Sequence, residues 1–104
     1  MINILVHGLG QDEKSWNEVK NQLNNNGINV ETPNLFSIVK HYQMNYDNMY
    51  KTFADYCNSF NEKINLVGIS LGGVLAIDYI TEFPEKINSI ILIGTPYKLS
   101  LIHI

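Results

Sequence analysis

Short runs of apolar residues alternate along this chain with segments in which apolar residues recur at helical spacing. Apolar runs of this kind, such as Ile2 to Val6 with its one Asn, are typical of strands that are buried on both faces of a parallel sheet. Strands are predicted at 2–6, 28–31, 65–69 and 87–93, and helices at 14–25, 46–60 and 71–83. Strand and helix therefore alternate, which predicts an α/β fold: a four-stranded parallel sheet with right-handed crossovers, flanked by helices.

The apolar positions also assign one face to each of the first two predicted helices. These faces hold Trp16, Val19 and Leu23 in the first helix and Met49, Phe53, Cys57 and Phe60 in the second. Glycine tolerates the left-handed conformation that ends many helices, so Asn26-Gly27 is predicted to stop the first one. Pro33 is predicted to end the second strand and Pro84 the third helix, whereas segment 34–45 gives no clear assignment.

Composition narrows the class of protein. Seven basic and ten acidic residues among 104 give a net charge of −3, which excludes nucleic-acid binding through a basic surface. An apolar fraction of 45% supports a packed core, while no apolar run approaches the roughly 20 residues that span a bilayer. No signal peptide is recognised before the first strand, so a cytoplasmic location is expected. The single cysteine, Cys57, excludes an internal disulfide and is predicted to be a buried, small apolar group.

The pentapeptide Gly68-Ile69-Ser70-Leu71-Gly72 matches G-x-S-x-G, the nucleophile elbow, and lies between a predicted strand and a predicted helix. A serine on such a tight turn takes a strained conformation, and Gly68 and Gly72 leave room for the turn to close. The Leu71 amide would lie at a helix N-terminus, where the dipole stabilises developing negative charge. The alternatives are a glycine-rich turn with a solvent-facing serine and a phosphate-binding loop, although the lysine of a P-loop is absent.

A second glycine-rich turn, His7-Gly8-Leu9-Gly10, directly follows the first predicted strand. Turns of this kind can direct backbone N–H groups at one point, so the Leu9 amide is a candidate partner for the Leu71 amide in an oxyanion hole. Gly8 and Gly10 are predicted to allow the loop its conformation. Without Ser70, an ordinary glycine turn would be the better interpretation.

In these motifs the chain resembles the α/β-hydrolase superfamily, and most of all its small esterases, lipases and carboxylesterases. The matching stretches are 4–10, 66–73 and 90–96, and their order and spacing agree over nearly the whole chain. The resemblance implies that Ser70 is the nucleophile and that the amides of Leu9 and Leu71 are the oxyanion donors. It also implies a structural role for His7, the strand order second, first, third, fourth, and neither a metal nor an organic cofactor.

A catalytic acid and a catalytic base are missing from the predicted site. In this superfamily an Asp or Glu and then a His follow the serine. The later acids, Asp78, Glu82 and Glu85, are interpreted as solvated charges on or just past the third helix, and His103 lies one residue from the end. Asp47 and Asp55 are interpreted in the same way as helix surface or cap residues, and His41 as a surface residue.

The end of the chain suggests why the site is incomplete. The last six residues, Leu-Ser-Leu-Ile-His-Ile at 99–104, match the translation of a DNA adapter widely used in sequencing libraries. We therefore expect the N-terminal part of a hydrolase domain at 1–98, with its C-terminal half missing, and a non-native tail at 99–104. A sheet cut after its fourth strand would expose an apolar edge, so poor solubility or partial unfolding is expected.

The sequence thus predicts a serine hydrolase of carboxylic esters or related small-molecule acyl substrates, inactive in this truncated form. An acyltransferase of the same fold would use the same elbow, with an alcohol or thiol in place of water. Two alternatives belong to other classes: a non-catalytic fragment that binds through its exposed sheet edge, and a nucleotide-binding domain.

Overall fold

The computed structural model describes residues 1–39 and 43–95 and contains a four-stranded sheet. Its strands are β1 (Ile2–Val6), β2 (Val30–Glu31), β3 (Ile64–Ile69) and β4 (Ile87–Ile93). Every neighbouring pair is parallel, and the order across the sheet is β2-β1-β3-β4. The predicted α/β class, the parallel sheet and the strand order are confirmed.

Helices connect the consecutive strands, as parallel pairing requires. They are α1 (Asn17–Asn25), α2 (Leu35–Ile38), α3 (Tyr46–Asn58) and α4 (Leu71–Glu82). Short 3-10 turns precede α1 at Glu13–Trp16 and follow α4 at Pro84–Lys86. Within the described ranges, none of the helices has the length and apolar character that a membrane crossing would need.

The first helical segment differs from its prediction. It begins as a 3-10 turn, in which the Asp12 side chain accepts a hydrogen bond from Lys14 N at 2.9 Å. A 3-10 turn has about 3.0 residues per turn, fewer than an α-helix, so it shifts the angular position of the residues that follow. Trp16 is buried as predicted, but Val19 is 44% exposed. The predicted common face was therefore wrong for Val19.

The other predicted elements are confirmed with changes at their ends. β2 is shorter than predicted, and α3 ends at Asn58, so Phe60 lies past the helix but still packs against the core. α1 stops before Gly27, whose φ of 77° is the left-handed conformation predicted there. The unassigned segment contains α2, which begins because the Asn34 side chain accepts hydrogen bonds from the first backbone amides of that helix.

The two faces of the sheet are covered unequally. On one face α3 and α4 complete a core that includes Ile4, Phe53, Leu66, Leu75 and Tyr79, all of them fully buried. On the opposite face Trp16 packs with Leu5 and Val30, over the β1–β2 half of the sheet. The β4 side of that face is open, with Ile91 and Ile93 exposed to 56% and 46%. β4 also lies at the edge of the sheet that the described residues form, so within 1–39 and 43–95 no strand pairs with its outer side, and apolar side chains are exposed beside it.

Candidate active site

Ser70 lies in the sharp turn between β3 and α4, at the carboxyl end of the sheet. Its φ is 52° and its ψ is −114°, and it is the only residue other than glycine with a positive φ in the described parts of the chain. Such a conformation costs about 1–3 kcal/mol and persists only where the surrounding structure enforces it. Here Ser70 N donates to Ile93 O at 3.0 Å, and Gly73 N and Val74 N donate to Ser70 O at 2.9 and 3.1 Å.

The glycines around this turn allow backbone segments to approach closely. A Cβ at Gly68 would lie 2.5 Å from Gly72 O, and a Cβ at Gly72 would lie 2.4 Å from Val6 O. Gly68 therefore lets α4 pack against β3, and Gly72 lets it pack against the end of β1. Gly73 was not among the predicted residues, although a Cβ there would lie 1.8 Å from Thr95 Oγ1. The sequence does indicate this glycine, because Gly73 directly follows the pentapeptide 68–72.

The loop 7–10 lies directly beside the turn that holds Ser70. A Cβ at Gly8 would come within 3.4 Å of Ser70 Cβ. Gln11 closes the loop: its side-chain oxygen accepts a hydrogen bond from Gly8 N at 2.9 Å, and its N–H donates to Gly8 O at 3.2 Å. Gly10 has a φ of 79°, a conformation that favours glycine. The structure thus brings together the two glycine-rich turns that the sequence singles out.

His7 is fully buried and uses both ring nitrogens within the fold. Its Nε2 accepts a hydrogen bond from Leu35 N at 3.0 Å, and its Nδ1 lies 2.9 Å from Gly8 O. Since a carbonyl oxygen can only accept and a backbone N–H can only donate, the neutral ring must carry its proton on Nδ1. The ring therefore joins the loop to α2 and has no nitrogen left to take a proton from a serine.

Two backbone amides at this junction, Leu9 N and Leu71 N, have no acceptor among the described residues. Leu71 is the first residue of α4, where free N–H groups form the positive end of the helix dipole. Leu9 is 73% exposed and follows Gly8, whose own N–H is engaged by Gln11. Neither amide is therefore used by a hydrogen bond between described residues.

The predicted solvated state was wrong for one carboxylate that follows Ser70 in sequence. Asp78 is half-buried and accepts a hydrogen bond from the Tyr46 hydroxyl, because this face of α4 packs against α3. Glu82 is exposed, and it accepts a hydrogen bond from the Tyr50 hydroxyl at 2.6 Å. Burial, together with these carboxylate partners, raises the pKa of both tyrosines far above the ordinary value. The pairs therefore join α3 to α4.

The remaining candidate groups agree with their predictions where the structure describes them. Glu85, Asp47 and Asp55 are exposed. Cys57 is fully buried, and this burial raises the pKa of its thiol to about 12, as expected for a residue that acts as an apolar group. Within 1–39 and 43–95 no group of three or more His, Cys, Asp or Glu is placed to hold a metal ion. His41, His103 and the tail 99–104 lie outside the described residues.

The parallel sheet and its flanking helices match part of an α/β-hydrolase fold in solved structures. Tomato methylketone synthase I, crystallised with β-ketoheptanoate, is 26% identical with a TM-score of 0.79. An extracellular α/β-hydrolase from a Paenibacillus species is 23% identical with a TM-score of 0.77. Each match covers 91% of this chain and 40% of the other chain. The resemblance to the α/β-hydrolase superfamily is therefore confirmed, over less than half the length of its structural neighbours.

Curated relatives are similar to the same part of the chain. Uncharacterised proteins of Mycobacterium tuberculosis and Mycobacterium bovis are 29% identical over 99 residues. The alignment covers 88% of this chain and 28% of each relative, so the chain spans under a third of their length. No family model matches the chain.

Proposed function

We propose that Ser70 is the nucleophile of a serine hydrolase that acts on carboxylic esters or related small-molecule acyl substrates. The observation that carries this proposal is the strained turn at Ser70, together with the amides of Leu9 and Leu71, which have no acceptor among the described residues. Strained backbone is retained at functional sites because it presents a reactive group in a fixed direction. The fold shared with a pyrethroid hydrolase from Sphingobium faniae, 21% identical with a TM-score of 0.74, supports the class in general terms.

In the proposed reaction Ser70 Oγ attacks the substrate carbonyl carbon while a histidine accepts the hydroxyl proton. The carbonyl electron pair moves onto oxygen, and the amides of Leu9 and Leu71 donate hydrogen bonds to the resulting oxyanion. Collapse of this intermediate expels the alkoxide, which takes the proton from the histidine and departs as the alcohol, while the acyl group stays on Ser70. A water molecule then repeats the sequence, releasing the carboxylic acid and restoring the serine.

The acid and the histidine of this reaction are proposed to lie outside the 104 residues, which would make the chain inactive as it stands. His7 does not serve, because both its ring nitrogens are engaged by Leu35 N and Gly8 O. Asp78 is committed to Tyr46 on the side of α4 that faces α3. We further propose that the protein works in the cytoplasm, that 1–98 is part of a hydrolase domain, and that 99–104 is a non-native tail.

An acyltransferase is the second candidate, since the same acyl-enzyme can be resolved by an alcohol or thiol instead of water. A non-catalytic role in binding is favoured by a different observation, the open apolar edge of β4 with Ile91 and Ile93. A reactive Ser70 separates these candidates, because a hydrolase or an acyltransferase needs it and a non-catalytic binding fragment does not.

The proposal is tested with a fluorophosphonate probe, which labels activated serines covalently. A protein that extends this sequence through a catalytic acid and histidine is expected to be labelled, and Ser70→Ala is expected to abolish labelling. Ser15→Ala, at an exposed serine remote in sequence, is the matched control and should label normally. Labelling that survives in Ser70→Ala would refute the nucleophile, and rapid labelling of the 104-residue chain would refute its inactivity.

A further inference from the structure

We propose that Gln11 is a positioning residue that fixes which backbone amide of the loop 7–10 receives the oxyanion. This inference rests on the proposed function of Ser70 and assigns a role to a side chain outside both glycine motifs. Two hydrogen bonds join Gly8 and Gln11. Gly8 N donates to Gln11 Oε1 at 2.9 Å, and Gln11 N donates to Gly8 O at 3.2 Å. The arrangement is similar to a capping box, where a Gln reaches back over three residues to a backbone N–H.

The orientation of the Gln11 side chain follows from its partner. Gly8 N–H can only donate, so the amide oxygen of Gln11 must face it, and the NH₂ group must face away. The carbonyl oxygen of Gly8 is engaged as well, by Gln11 N and by the Nδ1 proton of His7. Every polar group of Gly8 is therefore used inside the loop.

The engaged Gly8 leaves the backbone N–H of the next residue, Leu9, as the candidate donor. With Gly8 N–H engaged, Leu9 N–H is the next backbone donor of the loop and has no acceptor among the described residues, and this loop packs beside Ser70. Removing the Gln11 side-chain oxygen would remove its hydrogen bond with Gly8 N–H. Gly8 N–H could then compete with Leu9 N–H for the oxyanion, and the turn would lose a stabilising contact. A small displacement of a donor from the developing charge is enough to lower the rate of a chemical step.

The role can be separated from folding because Gln11 is an exposed residue, so its side chain adds little to the buried core. Gln11→Met keeps the length of the side chain and removes the acceptor. Gln11→Glu keeps an acceptor oxygen. Gln22→Met makes the same replacement at an exposed position of α1 and is the matched control.

The first measurement is hydrogen exchange of the Gly8 amide, read by NMR in the longer protein used for probe labelling. Gln11→Met is expected to speed this exchange roughly fivefold to tenfold, the effect of losing one hydrogen bond, while Gln11→Glu and Gln22→Met leave it slow. This readout does not depend on catalysis. Unchanged exchange in Gln11→Met would overturn the inference, whatever Ser70 does.

The second measurement is turnover of p-nitrophenyl acetate by the longer protein used for probe labelling. Gln11→Met is expected to lower kcat roughly 10- to 100-fold with KM within about twofold, since the lost contact acts in the transition state. An unchanged kcat, or a fall in kcat matched by lost thermal stability, would overturn the positioning role. Retained turnover in Ser70→Ala would instead refute the proposal that Ser70 is the nucleophile. The failure of that proposal can therefore be told apart from a failure of the role proposed for Gln11.

Discussion

Gly72→Ala tests whether the packing of α4 against β1 holds the site together. A Cβ at this position would lie 2.4 Å from Val6 O, 2.7 Å from His7 O and 2.8 Å from Val6 C. These are backbone atoms of a central strand and of the loop that follows it, so none can rotate away. The substitution must therefore move the start of α4 away from β1, and with it the Leu71 amide away from the loop 7–10.

The magnitude follows from two opposing effects. Overpacking costs about 1–3 kcal/mol, and contact with rigid backbone favours the upper end of that range. Alanine in place of glycine regains about 1 kcal/mol of helix propensity. The net loss in the free energy of unfolding is therefore about 2 kcal/mol, equivalent to a fall in Tm of roughly 8–16 °C for a domain of this size.

Urea unfolding, followed by the fluorescence of the single buried tryptophan, Trp16, measures this loss. Gly27→Ala is the control, because a Cβ there meets no atom within 4 Å and only the φ of 77° opposes it. That variant should lose about 1 kcal/mol from its left-handed backbone alone. If Gly72→Ala lost no more stability than Gly27→Ala, the close approach of α4 to β1 would be refuted.

Further predictions concern a buried thiol, a buried imidazole and the open sheet edge. Burial raises the pKa of the Cys57 thiol from 9.0 to about 12, so the unfolded chain releases this proton at a lower pH than the folded chain does. The free energy of unfolding that comes from the neutral thiol is therefore complete below about pH 9 and falls as pH rises. Urea unfolding at pH 8 and at pH 10 should show this fall, and Cys57→Ala should make it smaller. His7→Phe leaves Leu35 N–H without its acceptor and should cost about 1–3 kcal/mol in the same urea assay, whereas a loss near zero would contradict the buried hydrogen bond. Ile91→Lys with Ile93→Lys should reduce self-association of the chain in sedimentation velocity, and unchanged association would show that the β4 edge is not responsible.

The strands and the two glycine-rich turns could be predicted because they depend on local sequence. An apolar run with one Asn gives β1 its bounds, and the pair of glycines around Ser70 is required by the close backbone contacts of this turn. The start of α2 also had a local signal, since Asn34 is a favourable N-cap residue, but the mixed pattern that follows obscured it. The 3-10 turn before α1 had a similar signal in Asp12.

What the sequence did not predict depends on contacts between distant segments. Asp78 lies in a predicted helix, where a carboxylate is usually solvated. Only the packing of α3 against α4 brings the Tyr46 hydroxyl within hydrogen-bonding distance of it. The same holds for His7, whose acceptor role requires α2 to lie beneath the loop. Polar residues in the strands follow this rule as well: Asn65 accepts hydrogen bonds from Asn88 and Ser89 across the sheet, which a linear pattern does not reveal.

Contacts between described residues support the strain at Ser70, and this bears on how the site would assemble. The strained φ is enforced by the bond to Ile93 O, by the first turn of α4 and by the approach of Gly72 to β1, all of which belong to the described residues. The proposed nucleophile and its proposed oxyanion donors are thus set by the same few elements. A histidine supplied by further residues would then meet a serine that is already oriented. Ser70 geometry should accordingly be the same with and without that histidine, whereas its reactivity should depend on it completely.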